Sequence, residues 1–201
     1  FLSALLLSGV ARAQIPVTDA ANITQSIVNS VTELVQTSTT AENMIGNFKE
    51  TMKIYRQGKE YYDRLRNVTH LVRDARKVQQ SILLVGELSD IYVTSYDKML
   101  TDDNFSSQEL SAIAAGYNKL LERGMNSLKD LKEIVNPTDY SMTDKERLDR
   151  IDQAHGELTH TRDLMVYYTR KNISVSYLRS QRKNDTQRVL DLYGSADEKY
   201  W

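Results

Sequence analysis

The chain has 201 residues, and 26 Lys and Arg stand against 27 Asp and Glu, for a formal charge of −1. That balance exerts no general pull toward nucleic acid or an anionic membrane, and 40% hydrophobic residues suffice for one sizeable core. Two prolines and eight glycines leave little turn punctuation, so few, long elements are expected, and the lack of cysteine excludes a disulfide framework.

The first eleven residues, Phe1 to Ala11, are an apolar run that ends in Ala11-Arg12-Ala13. This has the form of a signal-peptide core followed by a small-x-small cleavage site. Residues 1–13 are therefore expected to be a signal-peptide remnant, with the mature chain starting at Gln14. The run is too short for a bilayer, which needs about twenty residues. No transmembrane span is expected in the mature chain, which reads as exported.

Gln14 to Asp19 forms an extended lead-in, and Thr18 or Asp19 can cap a helix beginning near Ala20. Ile23, Ile27, Val31, Leu34, Ala41, Ile45, Phe48, Met52 and Tyr55 then recur at helical steps, predicting a helix over about 20–57. Gly58 is a weak point, after which Tyr61, Leu65, Val68, Val72, Val78, Ile82 and Val85 continue the pattern to about residue 100. Spacing alone is compatible with one bent helix over 20–100 or with a hairpin of 20–57 and 59–100.

The stretch Thr101 to Ser106 is rich in residues that bond to their own backbone, which predicts a loop. Ser106 and Glu109 form a capping box for a helix over 107–135, which ends where Asn136 precedes Pro137. Being shorter than its neighbours, this helix is expected as a lobe at one end of the bundle. Thr143 and Glu146 make a second capping box, opening a helix predicted over 143–192. Its expected stripe runs Leu148, Ile151, Ala154, Leu158, Thr161, Met165 and Tyr168, and then Asn172, Val175 and Leu178. From Asn172 onward that helix is polar and basic, and it is expected to be free for a partner. Together these elements predict an all-α fold, an elongated bundle of three to four long helices with a smaller helical appendage, in one domain over 14–201.

Little in the chain points to catalysis. His155 and His160 flank Glu157, but five residues apart they diverge by about 140° on a helix, unlike the four-residue spacing of zinc-protease histidines. No metal, cofactor or catalytic residue is expected. The basic stretches Lys53–Lys77 and Arg162–Arg188 interleave with tyrosines, yet they read as solvated helix surface balanced by the acidic stretch Glu87–Glu109. No nucleic-acid partner is expected. The twelve tyrosines suit half-buried positions at bundle edges.

The start of the mature chain, Ile15-Pro16-Val17-Thr18-Asp19-Ala20-Ala21-Asn22-Ile23-Thr24-Gln25, resembles the opening of TrbJ-like conjugal-transfer proteins. These are relatives of the minor-pilus subunit of type IV secretion systems, and the layout is similar to the version carried by conjugative transposons of Bacteroides-type bacteria. The resemblance implies a helical bundle in the periplasm or on the surface of a Gram-negative cell, a non-enzymatic component that supports pilus or mating-channel assembly or contacts the recipient. Its expected partners are other secretion-apparatus or pilus subunits. Partner contact is expected at exposed ends of the bundle, on the Asp102–Ser106 loop and the Pro137–Tyr140 linker with Phe105 and Tyr140 as anchors, and on the basic half of the last helix through Arg179, Arg182 and Lys183. The alternative reading is a periplasmic holdase-like chaperone or envelope adaptor with an apolar inner face.

Overall fold

A computed structural model describes residues 38–66, 75–135 and 142–195. Among these residues the secondary structure is all helix: α1 (Ser38–Arg66), α2 (Ala75–Leu100), α3 (Ser107–Val135), α4 (Asp144–Lys183) and α5 (Thr186–Tyr193). The expected all-α bundle with a smaller helical piece is what forms, and the small piece is α5. Residues 1–37, which include the expected signal remnant and the first half of the predicted 20–57 helix, lie outside the described residues.

The first two described helices depart from the expected bounds. The helix predicted to stop at residue 57 runs through Gly58 to Arg66. A lone glycine costs about 1 kcal/mol relative to alanine, too little to end a helix flanked by Gln57, Lys59 and Glu60. The second helix begins at Ala75 and not at residue 59. Because α1 and α2 pack against each other, they are two helices folded back and not one bent rod. Apolar spacing continues across Leu65, Val68, Val72 and Ala75, so periodicity offered no boundary there.

Helix α3 has the predicted span, 107–135, but not the predicted position. It packs on α1, α2 and α4 and sits at the centre of the bundle, not as a lobe at its end. α1 and α4 each pack on both α2 and α3 but not extensively on each other, so they lie on opposite sides of the α2–α3 pair. The α2–α3 contact is close because position 124 is glycine: a Cβ there would stand 2.7 Å from Leu88 Cδ1.

Tyrosines dominate the middle of this core. Tyr92, Tyr96 and Tyr117 are fully buried, not placed at the bundle edge as expected. Tyr92 stacks on Tyr117 with ring centroids 4.7 Å apart, and Tyr96 meets Tyr92 edge-on at 5.4 Å. Tyr168 of α4 stands edge-on to Tyr117 at 5.1 Å. Gly116 makes room for it, since a Cβ at that position would fall 2.2 Å from Tyr168 Oη. Burial is tolerable because hydroxyls find partners: Tyr96 donates to Leu110 O at 3.2 Å, and Tyr117 Oη shares a 2.7 Å hydrogen bond with Thr169 Oγ1. Desolvation pushes the phenol pKa of both residues far above the ordinary value, so they act as neutral donors.

Helix α4 has 40 residues, about 60 Å at 1.5 Å per residue. Its start is the predicted capping box: Glu146 N donates to Thr143 Oγ1 at 3.3 Å, and Thr143 N donates to the Glu146 carboxylate at 2.9 Å. Its end is not the predicted one. Asn184 adopts a left-handed conformation (φ 55°, ψ 36°), its N–H donates to Gln181 O, and Asp185 N–H donates to Ser180 O. This is a Schellman stop with asparagine in the position usually held by glycine. The expected single helix over 143–192 is thus α4, a turn, and the short α5.

Leu148, expected to open the buried stripe of α4, is 41% exposed; from Ile151 the stripe follows the prediction through Ala154, Leu158, Thr161 and Met165. It then continues through Thr169, Ile173 and Ser176, each one position after the expected Tyr168, Asn172 and Val175, and through Ser180, two after the expected Leu178. A strict seven-residue repeat drifts by about 20° per heptad on a straight helix, and the real contact line follows the helix. Val175 and Leu178 consequently face outward, 38% and 59% exposed.

Candidate functional site

A polar cluster of described residues lies where the α2–α3 loop meets the end of α4 and α5. The loop turns tightly: Asp102 N–H donates to Met99 O at 3.2 Å, and Phe105 N–H donates to Asp102 O at 3.1 Å. Asp102 also accepts from Asn104 N–H at 3.0 Å, an Asx turn that explains why this sequence leaves the helix. The next helix opens on the predicted capping box, in which Ser106 N–H donates to Glu109 Oε2 at 2.9 Å and Glu109 N–H donates to Ser106 Oγ at 3.3 Å.

The Asp102 side chain is fully buried. Besides Asn104 N–H it accepts from three side chains distant in sequence. Ser176 of α4 donates to Oδ2, Tyr193 of α5 donates to Oδ2 at 2.8 Å, and Arg188 of α5 donates to Oδ1 at 3.3 Å. Arg188 is held in turn by Asp185 at the start of α5. A buried carboxylate is costly unless its charge and lone pairs are met, and here one cation and three further donors meet them. Burial, and then the neighbouring carboxylate, raise the Tyr193 phenol far above its ordinary pKa, so it remains a donor. With donors on both oxygens, this carboxylate ties the α2–α3 loop to α4 and α5.

A second layer reinforces the first. Asn104 Nδ2 donates to Ser176 Oγ at 3.0 Å, while Lys183 Nζ donates to Asn104 Oδ1 at 2.8 Å. Arg179 donates to Asn104 O at 2.6 Å and makes a two-point pair with Glu109, at 2.6 and 3.0 Å. Arg179, followed by the bonds from Ser106, holds the Glu109 carboxyl at about 2, well below the usual range. The Arg179 guanidinium also lies 5.9 Å from the Phe105 ring centroid.

Three of the residues expected at partner contacts therefore meet inside this protein: Phe105, Arg179 and Lys183 surround Asn104. Phe105 is half-buried and packs against the core. Arg182 points away and is exposed. Tyr140 lies outside the described residues. The second half of α4, expected to be free, is instead docked through Ile173, Ser176 and Ser180. Sequence reading placed Asp102 on an exposed loop facing a partner, whereas it is buried, and missed Ser176, Arg188 and Tyr193, which bond to it. The available signal was polar Ser176 at a core phase of the helix, which becomes visible only once the stripe is followed at 3.6 residues per turn.

Of the three histidines, His70 lies outside the described residues. His155 is half-buried with Nδ1 3.2 Å from Ser81 Oγ, but that hydroxyl donates to Lys77 O at 2.8 Å, so the imidazole is the donor in the shared contact. His160 is exposed. Among the described residues no group of three or more His, Cys, Asp or Glu side chains is placed to hold a metal ion. None of the described helices is long and apolar enough to cross a membrane.

A family described as a domain of unknown function, DUF4141, matches residues 1–48, ending within α1. No curated protein and no solved structure matches the chain.

Proposed function

We propose that this protein is an exported structural or adhesive component of a conjugative type IV secretion apparatus, working by protein–protein contact in the periplasm or at the cell surface. The observation that carries this reading is the stretch Ile15–Gln25, which resembles the mature start of TrbJ-like transfer proteins and directly follows a signal-like run. The bundle supports it in kind. α4 is a strut about 60 Å long, locked at one end by the Asp102 cluster, and such a body suits spacing and docking of other subunits. The holdase reading receives less support, because the apolar faces of the described helices close on one another in a single core and leave few large side chains exposed.

Deleting the gene from a transferring donor should abolish or sharply reduce transfer, with restoration by the wild-type copy. Unchanged transfer would remove the proposal. Fractionation with N-terminal sequencing tests the export half separately: a mature chain starting at Gln14 outside the cytoplasm is expected, and an uncleaved cytoplasmic chain would overturn it.

A further inference from the structure

Opposite the face that α4 buries runs a second stripe that no described helix covers. Its positions recur at steps of three and four from Glu146 to Arg182, the whole length of the helix. Because α4 packs inward on α2 and α3 while α1 lies beyond them, this stripe faces away from the bundle except at its edge, where Glu157 accepts from Ser127 of α3. At its middle are exposed His160, half-exposed Leu164, which lies outside the packed core, and Tyr167, 60% exposed. Large apolar surface kept outside a core in this way marks a contact site when it is contiguous.

The charges on the stripe are segregated. Its first half carries the anions Glu146, Asp149 and Glu157 and no cation, whereas its second half carries Lys171 and Arg182 and no anion. From Leu164 to Asn184 the helix has no acidic residue on any face. The segregation is also symmetric about Leu164. Glu146 and Arg182 stand eighteen residues before and after it, and Glu157 and Lys171 stand seven before and after it. Eighteen residues are five helical turns and seven are nearly two, so all four charges share the face of Leu164.

We infer that the outer face of α4 is the contact through which two copies of this chain pair, antiparallel, about a two-fold axis at Leu164. In that register Glu157 of each copy meets Lys171 of the other, and Glu146 meets Arg182. Tyr167 packs on the opposing His160 beside the two facing Leu164 side chains. An isologous interface requires such self-complementarity, in which residue i meets j and j meets i. A parallel pair would set anion on anion and cation on cation. The acceptors remain usable: both capping bonds of Glu146 go to Oε2, leaving Oε1 clear, and the Glu157 oxygens, which accept from Ser127 and Gln153, each keep a further lone pair. Arg150 flanks Glu146 on the next turn, beside the stripe, and dilutes only the outermost pair. A strip about 54 Å long and about 10 Å wide corresponds to roughly 1,000 Å² over both partners, near the lower bound for a specific interface. A dimer that dissociates in the micromolar range is the expected result.

The contact does not depend on where the protein works. Sedimentation of the full mature chain should show a concentration-dependent dimer. Lys171→Glu should weaken it about tenfold or more, and adding Glu157→Lys in the same chain should restore it, because each pair is then reversed but intact. The chain has no cysteine, so Leu164→Cys introduces a single thiol at the axis, and mild oxidation should link two copies. Leu83→Cys, at an exposed position on α2, should not link them. A chain that stays monomeric at hundreds of micromolar would overturn the inference. So would a dimer indifferent to Lys171→Glu, or Leu164→Cys linking no faster than Leu83→Cys. Far-UV circular dichroism of each variant separates loss of pairing from loss of fold.

Discussion

Replacing Asp102 by alanine should release α5 and weaken the whole bundle. The substitution removes the acceptor for the hydroxyls of Ser176 and Tyr193, for Asn104 N–H, and for one arm of Arg188. Ser176, Asn104 and Tyr193 are buried, and a buried donor left without a partner costs about 1–3 kcal/mol. Part of that is recovered, because α5 has only eight residues and can detach, letting Tyr193 and Arg188 reach water. Ser176 and Asn104 keep their contact with each other. The expected loss is therefore about 3 kcal/mol, the lower end of the range for breaking a buried charge cluster, and not the sum of its bonds. Urea unfolding reads the global loss as a lower midpoint at similar slope. Hydrogen exchange reads the local one: amides of 186–193 should lose protection well before those of α3. Asp102→Asn, which keeps size and two acceptor lone pairs but no charge, should fall between. If Asp102→Ala costs under about 1 kcal/mol, or α5 keeps wild-type protection, the carboxylate is not what holds that helix.

Gly116→Ala places a methyl group inside the Tyr168 ring contact and should cost about 1–3 kcal/mol by forcing that rigid ring outward, seen as a lower Tm and increased Tyr168 exposure to nitration. Tyr117→Phe removes a buried hydrogen bond and leaves Thr169 without its partner, a loss of about 1 kcal/mol or more. The double variant with Thr169→Val should recover part of that loss, and strict additivity in the cycle would show that the bond contributes nothing. The Glu109–Arg179 pair gives the protein a pH-dependent margin. Glu109 has a folded-state pKa lowered to about 2, so its contribution is fully present above the unfolded carboxyl value near 4.5 and is lost as pH falls toward 2. Because both side chains are well exposed, solvent screening keeps that margin near 1 kcal/mol or less. Glu109→Gln should flatten the acid limb of a stability profile between pH 4.5 and 2 and leave pH 7 little changed. An unaltered acid limb would show that the pair contributes nothing to stability.

Much of the architecture follows from local chemistry. The capping boxes at Ser106–Glu109 and Thr143–Glu146 form because their members lie three residues apart and need only their own backbone. α3 ends by residue 135 because the residue before Pro137 avoids helical geometry. The inward face of α4 was legible through Met165 because Ile151, Ala154, Leu158 and Thr161 mark it.

Beyond these points the tertiary structure decided. Gly58 marked no break because packing of α1 on α2 and α3 outweighs the small helical cost of one glycine. Past Met165 the stripe turns polar, and a pattern of Thr, Ser and a single Ile gives no hydrophobic signal to fix its phase. Only contact with α2 and α3 shows that Thr169 and Ser176 face inward while Val175 and Leu178 face out. The Asp102 cluster was least legible of all, since its carboxylate meets partners 74, 86 and 91 residues away. Short-range patterns encode which residues form a helix and which face it buries, because those depend on neighbours within a turn. They do not encode which buried polar groups will meet, since that is fixed only when helices distant in sequence pack and each buried charge must find its donors.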